Sequence, residues 1–392
     1  MSAPRSSPRS SSPVAGSGAD RPVDLGVVID YYRPYVSGLS EVARIVAEGM
    51  ADRGYRVEVV CARHEPDLPD REVVEGVTVR RSPVVASVGK AVLQPRFPLD
   101  AARLARRTRV LQAHLPLPEG LLARTWRPER LVPVYHCDPV FEPGPAGEVL
   151  RRAIDAADRA VLRRADEVIV TSHDYLAQSR VRDAIGCPVT VIPPPVIARP
   201  PGKPSFRRGP GPHIGFLGRI VAEKGLDVLL RAVQRIDDPD LRVLIAGDHD
   251  NVAGGSIIER LRPLADDRVT FLGFVSDDEL PDLFASLDVF VLPSVNRLEA
   301  FGITQVEAML AGVPVVVSDL PGVGVPIRTV GSGRLVPPGD DDALAAAIRA
   351  TVAEPDPPEV RRRRAAQAEA AFGVSAVLDR YEEILRSDRP DR

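Results

Sequence analysis

A rhythm that occurs twice restricts this chain more than any other feature. Short apolar runs alternate with amphipathic stretches through residues 23–192: "VDLGVVID", "YRVEVVCA", "VTVRR", "RVLQAH", "VPVYH", "EVIVTS" and "PVTVI". The segment "IPPPVIARPPGKPSFRRGPGP" interrupts the pattern, which resumes with "HIGFLG", "LRVLIAG", "RVTFLGF", "DVFVLPS", "GVPVVVS" and "SGRLVPP". Apolar runs bounded by turn residues read as strands buried on both faces. Strands that alternate with helical patterns make a parallel α/β sheet. The interruption can continue neither element, because proline has no N–H to donate and fixes its own φ. The expected fold class is therefore α/β, with two doubly wound, Rossmann-like domains at 23–192 and 213–372 and a linker at 193–212. A chain of 392 residues also exceeds what a single core usually serves.

Within the first domain, Ser40 reads as a helix N-cap. Val42, Ile45, Val46, Gly49 and Met50 follow at helical spacing, up to a stop at Gly54. Residues 1–22 are rich in Ser, Pro, Ala and Gly without an apolar core, which predicts a disordered tail rather than a signal peptide. Cys61, Cys137 and Cys187 are isolated, which argues against a disulfide framework or a zinc site and fits a reducing cytoplasm. No apolar run approaches the roughly 20 residues that span a bilayer. Residues 23–192 carry 23 acids against 24 bases and residues 213–372 carry 25 against 16, so neither half looks like a nucleic-acid binder. Arginines do cluster at 103–109 and at 151–164. They are read mainly as solvated helix faces, and secondarily as a contact with an anionic membrane surface or with a phosphorylated acceptor.

In open α/β sheets ligands bind beyond the carboxyl ends of the strands, and the stretch "VLPSVNRLEAFGITQVEAMLAGVPVVVS" lies at such an end. Glu299 and Glu307 are eight residues apart, about 12 Å if both were helical. That is too far for two carboxylates flanking one glycosidic bond. It suits the two ends of an elongated ligand whose paired hydroxyls donate to carboxylates, such as a nucleotide-sugar.

The element "EAFGITQVE" resembles the E-x7-E motif of the retaining family 4 glycosyltransferases, which have the GT-B fold. "FLGRIVAEKGLDVLLRA" is similar to that family's phosphate-binding strand, loop and helix, "FLGFVSDDELPDLFASLDVFVLPS" to its base-binding segment, and "YRPYVSGLSEVARIVAEGMADRGYRVEVV" to its first glycine loop and helix. The resemblance implies donor contacts at Gly38, Arg219, Lys224, Phe274, Glu299, Ala300, Phe301, Gly302 and Glu307, with Arg219 and Lys224 on the diphosphate, Glu307 on the ribose and Glu299 on the sugar. It places His136, at a strand end in "VPVYHCDP", near the donor sugar, so His136, Arg219, Lys224 and Glu299 form the expected catalytic set. His114 and Asp138 are expected at the acceptor, and the helical pattern within 373–392 is expected to return to the first domain. Two departures stand out: Gly38 is followed by Leu39 where the family often has a second glycine, and Leu298 precedes Glu299 where a small residue is common.

The implied activity is transfer of a hexosyl group from a UDP- or GDP-sugar to a hydroxyl acceptor on a cell-envelope, lipid-linked or other glycan, or on a small molecule, with retention at the anomeric carbon. No cofactor and no metal are expected. The alternatives are a nucleotide-sugar epimerase of the same fold and a non-catalytic nucleotide-sugar-binding subunit. The implied location is the cytoplasm, with or without contact at the inner face of the membrane.

Overall fold

The computed structural model describes residues 22–88, 91–141, 144–248 and 256–387. Residues 1–21 of the expected tail, Lys90, His249 and residues 388–392 lie outside them. All thirteen strands expected from the apolar runs form. In the first sheet the order is 189–191, 168–170, 134–135, 108–115, 23–28, 57–63, 77–83 and 71–74, with 130–131 beside 108–115. The pairs are parallel except 71–74 with 77–83. In the second sheet the order is 269–273, 242–246, 213–217, 289–292, 315–318 and 334–336, all parallel. Strand Arg71–Val74 and the small hairpin Ala86–Val88/Ala91–Leu93 are additions that the apolar pattern does not carry, since the first is half exposed and the second very short.

The first helix runs Gly38–Asp52, so the cap is Ser37 and not Ser40. Ser40 instead takes the third helical position. Its Oγ accepts from the Ser37 N–H at 2.8 Å while the Ser37 Oγ accepts from the Ser40 N–H at 3.2 Å. This reciprocal capping box satisfies two groups at the turn and sets the start of the helix three residues earlier.

Beyond the second sheet, helix Pro358–Phe372 leads into helix Val374–Arg386, which crosses back to the first domain. Val377, Leu378, Tyr381, Ile384 and Leu385 join the core that holds Leu25, Val27, Val46 and Met50. Burial of each such side chain is worth about 1.5–3 kcal/mol. The rim pairs of Arg53 with Asp379 and Glu382 fall in a class worth at most about 1 kcal/mol each. Apolar packing, not the ion pairs, ties the C-terminal end of the chain to the first domain. No helix among the described residues is long and apolar enough to cross a membrane.

Candidate active site

Each sheet reverses its strand order around its first strand. In the second domain that strand, 213–217, lies between 242–246 and 289–292, which opens a crevice beyond its carboxyl end. The loop after 213–217 brings Arg219 and Lys224; the loop after 289–292 brings Ser294 and Glu299. These loops touch closely because residue 225 is glycine. Its φ is +65°, and a Cβ there would sit 2.0 Å from the Pro293 carbonyl oxygen. Next to it, the Val295 N–H donates to the Glu223 carbonyl at 3.0 Å.

Across this contact Lys224 Nζ donates to Glu299 Oε2 at 2.5 Å, and Ser294 Oγ donates to the same oxygen at 3.2 Å. Burial pushes the Glu299 carboxyl up, but the Lys224 charge, the Lys224 and Ser294 hydrogen bonds and the Gly302 N–H outweigh it and hold it below the usual glutamate value. The floor of the crevice is thus a preassembled cation–anion pair. Arg219 stands nearer the rim, its side chain 42% exposed and paired with Glu223 at 3.2 Å.

Helix Ile303–Leu310 begins after Gly302, whose φ is +79° and where a Cβ would come within 2.6 Å of both Gln305 Nε2 and Leu292 Cδ2. Buried Gln305 pins the turn by donating to the carbonyls of Phe301 (2.8 Å) and Val323 (2.9 Å). Glu299 therefore precedes the helix, and the 12 Å separation, which assumes a continuous helix, does not describe this pair. The Phe301 ring is in the core against Phe372 at 5.7 Å between centroids, so of this residue only the backbone can face a ligand. Ala300 packs its methyl group against the core of the first domain.

Glu307 is buried along the helix and accepts from Arg199 Nη1 at 2.7 Å. Arg199 belongs to the linker and also meets Asp277 at 3.0 Å. Burial raises the Glu307 pKa, and the Arg199 charge offsets only part of it. Phe274, just after strand 269–273, is 77% exposed.

The first domain presents its own crevice, where strand 23–28 separates 57–63 from 108–115. Gly38 opens the first helix there, and a Cβ on it would lie 3.7 Å from Ile303 Cδ1. Two helix N-termini, one from each domain, thus approach one spot, and their partial positive charges favour an anion between them. His136 Nε2 and His114 Nδ1 are 2.9 Å apart with the rings stacked. Burial lowers the pKa of both, that of His136 to about 4, and His136 adds a further lowering at His114. The pair occupies Nε2 of His136, which leaves Nδ1 as the ring nitrogen able to meet a ligand.

Two of the expected acceptor residues lie deeper than their strand-end positions suggest. His114 is 1% exposed and stands behind His136, so contact with an acceptor does not follow from its position. Asp138 is equally buried. Its oxygens accept from the Tyr135 hydroxyl, from Ser179 Oγ at 3.2 Å and from the Arg180 N–H at 3.2 Å. Its N–H donates to the Tyr175 hydroxyl, which in turn donates to the Arg297 carbonyl across the domain boundary. Three hydrogen bonds thus already reach the Asp138 carboxylate from Tyr135, Ser179 and Arg180. Sequence reasoning also missed Arg199, Ser294 and Gln305. A linker arginine 108 residues from its carboxylate carries no local signal. Among the described residues no three His, Cys, Asp or Glu side chains gather as metal ligands would.

Residues 37–195 match the family model described as a glycosyl transferase 4-like domain, and residues 211–354 match that of the glycosyl transferases group 1. The chain is similar to a D-inositol 3-phosphate glycosyltransferase of Mycobacterium marinum, with 30% identity over 333 residues that cover 76% of this chain and 70% of that one. It is 35% identical to a 2-deoxystreptamine glucosyltransferase of Streptomyces kanamyceticus over 187 residues, 46% of this chain and about half (47%) of that relative. The solved structure of Anabaena Alr3699/HepE in complex with UDP-glucose matches with a TM-score of 0.67 at 20% identity, covering 92% of this chain and 98% of that one.

Proposed function

Given that this chain belongs to the family 4-type glycosyltransferases of GT-B fold, we propose that it moves a hexosyl group from a nucleoside diphosphate sugar to a hydroxyl of a small polyol, with retention. The observation that carries this reading is the Lys224–Glu299 pair, its side chains only 16% and 12% exposed, set at the strand-order reversal of one domain and opposite the first helix of the other. The diphosphate lies between the two helix N-termini, with Lys224 and Arg219 as its cations. Glu299 and the backbone of 300–302 receive sugar hydroxyls, and Glu307 receives the ribose. The acceptor oxygen bonds to the anomeric carbon as the bond from that carbon to the phosphate oxygen breaks on the same face. The acceptor proton passes to the departing phosphate, so no protein nucleophile is required. Lys224 and the helix termini stabilise charge that grows as the bond breaks, which lowers the barrier rather than merely binding substrate.

Thermal stabilisation by UDP and by GDP tests the donor site first. A nucleotide at about 100 times its dissociation constant adds about 2.7 kcal/mol, and one of the two is expected to do so. Donor consumption that depends on an added polyol then separates a transferase from a binding-only subunit. Stabilisation by neither nucleotide would overturn the reading.

Arg199 must yield if ribose hydroxyls are to reach Glu307. Arg199→Ala is therefore expected to bind nucleoside diphosphate several-fold more tightly, and Glu307→Ala more weakly, in calorimetric titrations. Glu299→Ala should leave bare nucleotide affinity near that of the native protein while the nucleotide-sugar loses affinity. Equal losses for bare nucleotide in the two glutamate variants would contradict a donor stretched along this helix.

A further inference from the structure

The crevice of the first sheet holds polar groups that the donor does not use. Asp30 follows strand 23–28 and Glu119 lies in the turn after strand 108–115, the two strands between which this sheet reverses order. Gln94 sits against both: its Nε2 donates to Glu119 Oε1 at 3.0 Å and reaches Asp30 Oδ1 at 3.5 Å. Gln94 is only 3% exposed, yet its Oε1 has no hydrogen-bond partner, and neither has the buried Glu119 Oε2. Both orphaned atoms are acceptors. A buried acceptor without a donor is unfavourable enough that native structures nearly always supply one, so what this crevice lacks is a donor.

Charge points the same way. Burial, then the neighbouring charge of Glu119 and a hydrogen bond between the two carboxyl groups, pushes the Asp30 pKa well up; burial raises that of Glu119, and the bond from Asp30 offsets part of the rise. Among the described residues neither carboxyl is paired with a lysine or arginine. Tyr31, next in sequence to Asp30, stacks on Tyr35 with ring centroids 4.3 Å apart, and feels the charges of both Asp30 and Glu119. An ammonium group offers three donors and no acceptor and carries the charge these acids leave uncompensated. It is also the group an aromatic wall attracts. A phosphate would bring acceptors and negative charge to a place that already has an excess of both.

We propose that Asp30, Glu119 and Gln94 form the acceptor subsite and that they select a polyol bearing an ammonium group over one bearing phosphate. This rests on the transferase reading above and goes further, to the acceptor's chemical class. Neutral and phosphorylated polyols share the hydroxyl that would be glycosylated, so they isolate the contribution of the charge.

The test is calorimetric titration of the full chain, saturated with whichever of UDP and GDP binds it, using 2-deoxystreptamine, myo-inositol and D-inositol 3-phosphate as probes. The diamine is expected to bind at least about tenfold more tightly than myo-inositol, and the phosphate more weakly than either. Asp30→Asn and Glu119→Gln, which keep shape, should each weaken the diamine about tenfold and lose the preference. Nucleotide affinity should stay unchanged and the melting temperature equal or higher, since a buried acid is neutralised. No binding of the diamine, tighter binding of the phosphate, or variants that keep the preference would each overturn the assignment. If neither nucleotide binds, it is the donor reading that fails. The same three titrations on the unliganded chain then decide the subsite on their own.

Discussion

Lys224→Ala is expected to lower donor turnover at least about a hundredfold and to lower the melting temperature as well. Two losses combine. The first is the cation proposed to face the diphosphate as charge develops; removing one preorganised stabiliser of this kind typically costs about 2.7–4 kcal/mol of barrier. The second is structural, because Glu299 would keep its buried charge with only Ser294 and the Gly302 N–H to satisfy it. Breaking one side of a buried pair destabilises by about 3–5 kcal/mol. The two effects separate in a second variant. Adding Glu299→Gln to Lys224→Ala removes the orphaned charge, so thermal stability should recover while turnover stays low. Arg219→Ala, at the rim and paired with Glu223, should cost less than Lys224→Ala. Native-like turnover in Lys224→Ala would remove the diphosphate assignment.

His136→Ala should lower kcat at least about tenfold with nucleoside diphosphate affinity nearly unchanged, if its Nδ1 side meets the sugar rather than the nucleotide as proposed. The same residue makes a prediction about acid. Histidine titrates near 6.5 in the unfolded chain, and in the fold burial lowers His136 to about 4 and holds His114 low as well. Between those values the unfolded chain binds more protons than the folded one, so the stabilisation is complete above the unfolded value and is lost as pH falls toward the folded one. The melting temperature measured from about pH 8 to about pH 4.5 should therefore fall more steeply in the native protein than in His136→Gln, which titrates one group fewer. A turnover-competent His136→Ala with only a lower melting temperature would mark the residue as structural.

Most strands were readable because they are nearly continuous apolar runs, as expected for a sheet covered on both faces, while 77–83 alternates. The half-exposed strand 71–74 and the three-residue hairpin strands lack that signature. The positions of Arg219, Lys224 and Glu299 in loops beyond strand ends, and of Glu307 within the helix that follows, were legible because neighbours in sequence fix them. His114 and Asp138 were legible only as polar residues at strand ends, which says nothing about depth. Depth came from side chains far away in sequence: Ser179 and Arg180 over Asp138, and the imidazole of His136 in front of His114.

By itself the sequence determined the two α/β units, the linker between them and the residues carried by the loops beyond the strand ends, because periodicity and glycine and proline placement act over a few residues. The tertiary structure decided which charges meet. Lys224 reaches Glu299 across 75 residues, Arg199 reaches Glu307 across 108, and Gln94 reaches Asp30 across 64. Such pairs depend on which strands become neighbours within a sheet and on where the linker runs past it. No local spacing encodes that, and the charge state of each buried group follows only once its partners are in place.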